Sequence, residues 1–515
     1  MTDSGPVRRS ALFVAGQVLD RLCYAASLAI MTYFFGVSGE TDVYFIVTLV
    51  PLLIAALNNE TTLVAAMQFL SMNRKQDEHW AAVGSMLVFF VLLFFAMTVV
   101  VQLLAPTIVA VVGIGLDGAS RARAVELERL AAWLVLANGI GSVLGAVLMR
   151  EGLLVWAVFR SALSNALMIA VSVALLMAGA TGIVVFLYGM LAGAVFTALL
   201  LLPPLLRAKG KNRIFTSACW RMTGGPFLLA SSFYNALGNG NYQILVLVER
   251  TVASNFGPGF VTILSLARTM LTLLAFVPAG VANALFVDLA KQPWEMRKRD
   301  IARIGALIGR AGLFIALPAL VIYFAGINAI VGILFERGKF DAATTGLVAE
   351  YAVLLGLAGP YMALSTPVAK VMQLAHLNRE LALGSNFACA IYVAAAIIVP
   401  LYFGPKGLAL CAALHGAVYL VTIYGILVRR FGWAVLSIQL PEQLAATAVS
   451  AAVVVSLQAT SLWPQRYFLS LAATCVATFL PYAIMSYLLD LNRARAWLGA
   501  EVEKMRTARL LPRKD

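Results

Sequence analysis

At 515 residues, with 62% hydrophobic and only 12% charged side chains and a mean hydropathy of +0.90, the chain is far more apolar than a soluble domain. Its formal charge of +14 does not point to nucleic acid, because Lys and Arg occupy short loops between apolar runs; loop asymmetry and attraction to anionic lipid headgroups account for it. Cys23, Cys219, Cys389, Cys411 and Cys475 stand singly in or beside apolar stretches and read as small buried hydrophobes, not as a disulfide framework.

Crossing a bilayer takes about 20 mostly apolar residues. The sequence predicts an all-α membrane protein of about fourteen transmembrane helices, at roughly 10–36, 41–71, 79–104, 124–149, 152–178, 181–206, 222–252, 261–290, 303–326, 344–374, 383–403, 406–428, 438–460 and 467–490. The opening "MTDSGPVRRS" resembles a signal-peptide start, but the apolar stretch after it is too long and lacks a small-residue cleavage site, which predicts a retained first helix. Alternate loops are basic: Arg8, Arg9, Arg74, Lys75, Arg150, Arg207, Lys209, Lys211, Arg213, Lys291, Arg297, Lys298, Arg299, Arg379, Arg429, Arg430 and the tail share one side. The other side has only a few, such as Arg121, Arg123, Arg337, Lys339, Lys406 and Arg466. This bias predicts that both termini are cytoplasmic.

Two echoes suggest duplication. Arg150 precedes "SALSNALMIA" as Arg379 precedes "LGSNFACAIYV", and "YFFGVSGETD" leading to Pro51 resembles "SNFGPGFVT" leading to Pro278. They fit two pseudo-symmetric six-helix lobes plus two C-terminal helices, as transporters build a central site between repeats; chance recurrence of small polar residues is the alternative. The division is 1–206 for the first lobe, 207–221 for a cytoplasmic linker and 222–430 for the second lobe. Residues 431–490 are the two additional helices and 491–515 a basic cytoplasmic tail.

Ionisable groups inside spans cost roughly 2.5–3.5 kcal/mol on insertion scales and are functional candidates by default. Asp20 and Arg21 lie near the centre of the first span. Within "LIAALNNETTLVAAMQ" of the second, Asn58, Asn59, Glu60, Thr61 and Thr62 form a polar run that cannot face lipid. A water-filled cavity would satisfy it; a polar helix contact pairing Glu60 with Arg21 or Arg268 is the competing reading. Arg268 sits in the eighth span and Lys370 in the tenth. Glu249 and Arg250, at the end of the seventh, read equally as a gate or a snorkelling pair. His79, His376 and His415, the three histidines, have no metal-ligand spacing, and no sizeable loop carries paired carboxylates. The chain therefore reads as a transporter and not an enzyme, without a metal or cofactor, although a coupling cation, Na+ or H+, stays open.

These residues bring a family into view. "FGVSGETDVYFIVTLVPLLIAAL", "YQILVLVERTVASNFGPGFVTILSLART", "ILFERGKFDAATT" and "LYFGPKGLALCAALHGAVY" resemble the MurJ/MviN lipid II flippases of the multidrug/oligosaccharidyl-lipid/polysaccharide exporter superfamily. The resemblance implies two lobes around a cavity that faces cytoplasm and periplasm in turn, with a groove from the last two helices for a polyprenyl tail. It implies cavity cations at Arg21 and Arg268, with Lys370 where the family often has an arginine, a carboxylate at Glu60, and the Asp after the first outer loop at Asp42. Where the family carries further charge this chain has Ser27-Leu28 and Leu49, and "LLIAA" follows.

The expected function is translocation of an undecaprenyl-pyrophosphate-linked saccharide, lipid II for peptidoglycan, across the bacterial inner membrane by a monomer embedded in membrane lipids. Alternatives are an exporter of exopolysaccharide or O-antigen lipid-linked units, an ion-coupled small-molecule exporter, and a non-transporting protein of envelope synthesis.

Overall fold

A computed structural model describes residues 6–72, 76–210, 214, 224–274, 294–433, 438–461 and 463–491. Every regular element among them is helical. Helices α1 (Pro6–Phe35), α2 (Gly39–Val47), α3 (Leu49–Met72) and α4 (Gln76–Val112) are followed by α5 (Gly118–Ala131), α6 (Trp133–Arg150), α7 (Leu154–Met177) and α8 (Val184–Lys209). Then come α9 (Gly225–Asn239), α10 (Asn241–Ala253), α11 (Phe260–Leu274), α12 (Trp294–Phe335), α13 (Ala342–Gly356), α14 (Gly359–Leu374), α15 (Asn378–Phe431), α16 (Leu440–Gln458) and α17 (Tyr467–Leu488).

Ten helical runs among the described residues are long and apolar enough to cross a membrane, or up to eleven if α13 and α14, bent by 45°, count as one span. The chain is a multi-pass membrane protein. The sequence reading counts about fourteen, and the difference has local causes. Residues 383–403 and 406–428 both fall on α15, where Gly404 adopts φ 59, ψ −153 ahead of Pro405. A straight helix of its 54 residues would be about 81 Å long against a hydrocarbon core of about 30 Å, so the break separates two legs. From Gly225 on, the expected span 222–252 falls on the short α9 and α10, which meet at Gly240, and the expected span 261–290 runs beyond Leu274 out of the described residues.

The helices cluster into two compact units, one of Met1–Leu266, Leu334–Leu347 and Tyr392–Leu408, the other of Ala267–Ile333, Val348–Ile391 and Ala409–Asp515. In the first, α3, α4, α6 and α8 enclose a core around Phe90 and Phe94, whose rings stack with centroids 5.6 Å apart. Glycines set the spacing elsewhere: Gly189 and Gly193 of α8 lie against Ser172, Ser164 and Met168 of α7, where a Cβ would collide. In a membrane such close approach replaces the hydrophobic drive between helices. In the second unit Ile301, Ile304 and Ile308 of α12 pack on Val368, Val371 and Met372 of α14 and on Ile423 and Leu427 of α15; α16 and α17 form an antiparallel pair.

Candidate functional site in the first unit

Gly36, at φ 63, ends α1, and Ser38 starts α2 through a capping box with Thr41. This turn fixes Asp42 on the first turn of α2 with 3% of its surface exposed. Its Oδ2 accepts from the Gly259 N–H at 2.6 Å. Its Oδ1 accepts from the Thr262 N–H at 2.8 Å and the Thr262 hydroxyl at 2.7 Å, with the Thr41 hydroxyl 2.9 Å from the latter. A buried carboxylate thus satisfies first-turn amides of α11 and meets the positive end of its dipole. The approach requires Gly259, at φ 89, where a Cβ would press on Val37. The segments that echo each other in sequence are the ones clasped here.

Neighbouring turns extend this seam. Arg250 of α10 donates from Nη1 to the Phe45 carbonyl at 3.0 Å, its guanidinium carbon 5.2 Å from the centre of the Phe45 ring, a cation–π geometry. Glu249 is 1% exposed and accepts from the hydroxyl of the buried Tyr392 at 3.2 Å. The two neighbours therefore do not pair with each other: each binds a different element. The Gly115 N–H donates to the Ser254 hydroxyl at 3.3 Å, and the Lys339 N–H to the Tyr33 carbonyl at 3.0 Å. Four turns, at 36–38, 113–117, 254–259 and 336–341, are knitted into one end of the unit.

A second polar feature lies within the same unit. Asp20 of α1, Asn138 of α6, Arg160 and Asn165 of α7 and Thr197 of α8 line a cavity of about 210 Å³. Asn165 donates from Nδ2 to Asp20 Oδ1 at 2.9 Å, Arg160 acts on Asp20 electrostatically, and Arg160 Nη1 lies 3.5 Å from the Ser142 hydroxyl. The guanidinium runs along α6 because Gly141 and Gly145 leave room for it, with Cβ positions 3.2 and 3.4 Å from its nitrogens. Asp20 and Arg21, adjacent on α1, diverge as helical geometry demands: Asp20 is half-buried in this pocket, whereas Arg21 is exposed.

The side chains of Asn58, Asn59, Glu60 and Thr61 on α3 lie outside the described residues. Thr62 beside them is buried, and its hydroxyl has no partner among the described residues. With Ser232 it borders a largely apolar cavity of about 400 Å³ between α3, α4 and α9. In the second unit, Arg268 of α11 is half-buried and acts electrostatically on His415, whose ring stacks on Tyr419 with centroids 6.2 Å apart. Lys370 of α14 donates to Gln373 Oε1 at 3.3 Å. Sequence reasoning passed over Arg160, Thr262 and Tyr392. Only Arg160 had a signal, a cation inside "LVWAVFRSALSNALMIAV"; the other two are ordinary residues until the fold supplies their carboxylates.

A family model described as lipid II flippase MurJ matches residues 31–481. A probable lipid II flippase MurJ of Rhizobium tropici is 28% identical over 231 residues, covering 44% of this chain and 42% of that protein; the chain thus spans about two fifths of that curated relative's length. A solved lipid II flippase MurJ in an inward closed conformation matches with a TM-score of 0.79 at 17% identity, over 93% of this chain and 99% of that one. An inward-facing multidrug resistance MATE family transporter of the MOP superfamily matches with a TM-score of 0.61 at 14% identity, over 82% and 95%. At these identities the structural likeness speaks for the fold.

Proposed function

Because the chain belongs to the MurJ lipid II flippase family, we propose that it carries lipid II, an undecaprenyl-pyrophosphate-linked saccharide, across the bacterial inner membrane by alternating access. The observation that supports this most is the family match across residues 31–481. Within the reading, two lobes of six helices, 1–206 and 222–430, form the transport body, 431–490 are additional helices, and both termini face the cytoplasm. The Asp42–Thr262 clasp acts as a gate that must part once per cycle, with Glu249 and Arg250 beside it. Arg21, Arg268 and Lys370 are the cations offered to the pyrophosphate, since guanidinium forks match phosphate oxygens and stay charged when partly desolvated. Glu60, with Asn58 and Asn59, serves as their partner when substrate is absent, and the protein works as a monomer.

One observation favours a second reading, an exopolysaccharide or O-antigen lipid-linked unit as cargo. Ser27 and Leu28, standing where the resemblance places further charge, are each 2% exposed, so that stretch is packed and offers no cation to an acidic peptide. Complementation of a conditional lipid II flippase mutant tests the choice. Growth at the restrictive condition, lost in Arg21→Ala or Arg268→Ala at equal membrane abundance, is the expected result. Failure of the native chain to complement, while it restores a strain lacking an exopolysaccharide flippase, would overturn lipid II as cargo.

A further inference from the structure

Glu128 lies in a span yet serves no part of the seam or the polar pocket. It sits on the buried stripe of α5 formed with Ala124, Leu127 and Ala131, about 15 Å along the helix from its start. It is 0% exposed, and neither carboxyl oxygen has a hydrogen-bond partner among the described residues. Native proteins pair nearly all such groups, and an exception calls for a physical reason. A carboxylate without partner in a dry site is accommodated by taking a proton.

The surroundings offer a route and a consequence. Leu127, one residue earlier on the same stripe, lines a cavity of about 270 Å³ with Glu40 and Val43 of α2, Ser120 and Arg123 of α5 and Val184 of α8. This cavity opens at the end of the unit that carries the four knitted turns. Helix α5 packs on α2, α4, α8 and the start of α6. The titratable and charged groups near it are Glu40, Asp42 and Tyr44 on α2 and Tyr188 on α8; Arg207 and Lys209 of α8 and Arg150 of α6 stand at the far ends of those helices, and the half of α4 at residues 98–112 has none. On α5 itself Arg123 pairs with Glu126 at 3.0 Å, and Arg121 turns to the Ile114 and Leu116 carbonyls. Arg129 is exposed. Asp42 is committed to Gly259 and Thr262. Ionising Glu128 would therefore place an uncompensated charge on the buried stripe of α5, the helix on which clasp-bearing α2 packs.

We propose that Glu128 is a proton-binding site, reached through the Glu40–Arg123 cavity, whose neutral form keeps α2 packed on α5 and the Asp42–Thr262 clasp closed. Loss of the proton loosens α2 and favours the open end, so one proton is linked to one gating step. The proposal deepens the alternating-access reading and rests on it.

The test uses the full chain in phospholipid vesicles, with its five cysteines replaced by alanine and Ser254→Cys as reporter. Ser254 is 6% exposed at the seam. Labelling by a membrane-impermeant maleimide, corrected for the reagent's own pH dependence, is expected to rise with pH by up to about tenfold per unit, the limit for one linked proton. In Glu128→Gln it should stay low and flat. Glu128→Met guards against misfolding: a side chain without hydrogen bonds is replaceable by an apolar one of like size, and the same flat profile is expected. Infrared spectra should show a neutral-carboxyl carbonyl band that Glu128→Gln removes. Flat labelling in the parent, an unchanged pH profile in the variants, or a band that Glu128→Gln leaves intact would each overturn the proposal. Neither readout needs a lipid-linked substrate, so the result is independent of which cargo is carried.

Discussion

The Asp42 carboxylate accepts from the backbone N–H of Gly259 at 2.6 Å across 217 residues of sequence, so a side chain near the start of the chain caps a helix near its middle. Charge-assisted bonds of this kind contribute about 1.5–3 kcal/mol each. Asp42→Asn keeps the shape but turns an amide donor toward one of the two N–H donors, so it should behave like Asp42→Ala and weaken the closed end by about 1–3 kcal/mol. A double-mutant cycle with Thr262→Val, read by maleimide access to Ser254→Cys, should give a coupling of about 0.5–3 kcal/mol. Strict additivity would show that the clasp does not hold the seam.

Tyr392 and Glu249 bear on the same end through burial. Removing the donor in Tyr392→Phe leaves a carboxyl oxygen short of one bond in a dry site, a cost of about 1–3 kcal/mol. Detergent-solubilised Tyr392→Phe should melt earlier than the native protein. Adding Glu249→Gln should recover part of the loss, because a neutral amide is less costly to leave short than a carboxylate. If the second change lowers stability further instead, the hydrogen bond is not what Tyr392 supplies.

The helical membrane class was legible because apolar runs of span length are a one-dimensional signal; the contact of Asp42 with Thr262 was not, since the echo of their two segments read only as a sign of duplication. The breaks at Ala132, Gly240 and Gly404 were not either, since hydropathy averages over them; Gly404 leaves the helical region, whereas Ala132 and Gly240 keep right-handed dihedrals and interrupt only the hydrogen-bond ladder. Charges were readable, partners were not. Asp20 and Arg21 are equivalent in a hydropathy window, yet one faces Asn165 and the other is exposed. Arg160 acquires its meaning from Gly141 and Gly145 on a different helix. Glu128 sits among "AVELERLAAW" and looks like one more charge of a loop end until its burial is known.

Asp341 gives a pH-dependent prediction outside the spans. Its Oδ1 accepts from the Thr344 hydroxyl at 2.6 Å and the Thr344 N–H at 2.8 Å, and these bonds hold its carboxyl below the usual range. A depressed folded-state value means that the cap is fully present above the ordinary carboxylate range and is lost as pH falls through the depressed one. Amide exchange at Thr344 and Thr345, corrected for intrinsic rates, should therefore accelerate only in strong acid. Asp341→Asn should abolish the acid step while keeping a weaker cap. An unchanged step in that variant would assign it to another group, Glu336 being the neighbour, with its Oε2 2.7 Å from the Thr345 hydroxyl.

Arg160 and Asp20 separate stability from transport most cleanly. Both line a pocket of about 210 Å³ and are largely buried; they act on each other electrostatically without direct contact, so removing one charge leaves the other less compensated in a partly desolvated site, at a cost of about 1–3 kcal/mol. Arg160→Leu should therefore lower membrane abundance, and Asp20→Asn should do so less, since Asn165 can still bond to the amide. The double variant Arg160→Leu with Asp20→Asn removes both charges and should regain abundance. Gly145→Leu offers a check that leaves both charges in place: the branched side chain would occupy the path of the guanidinium and mimic Arg160→Leu in quantitative membrane blots. If the double variant is abundant but fails in the complementation assay, the pair serves the transport cycle beyond holding α1, α6 and α7 together. If it is abundant and active, the two opposite charges are a structural element whose loss the fold tolerates once both are gone.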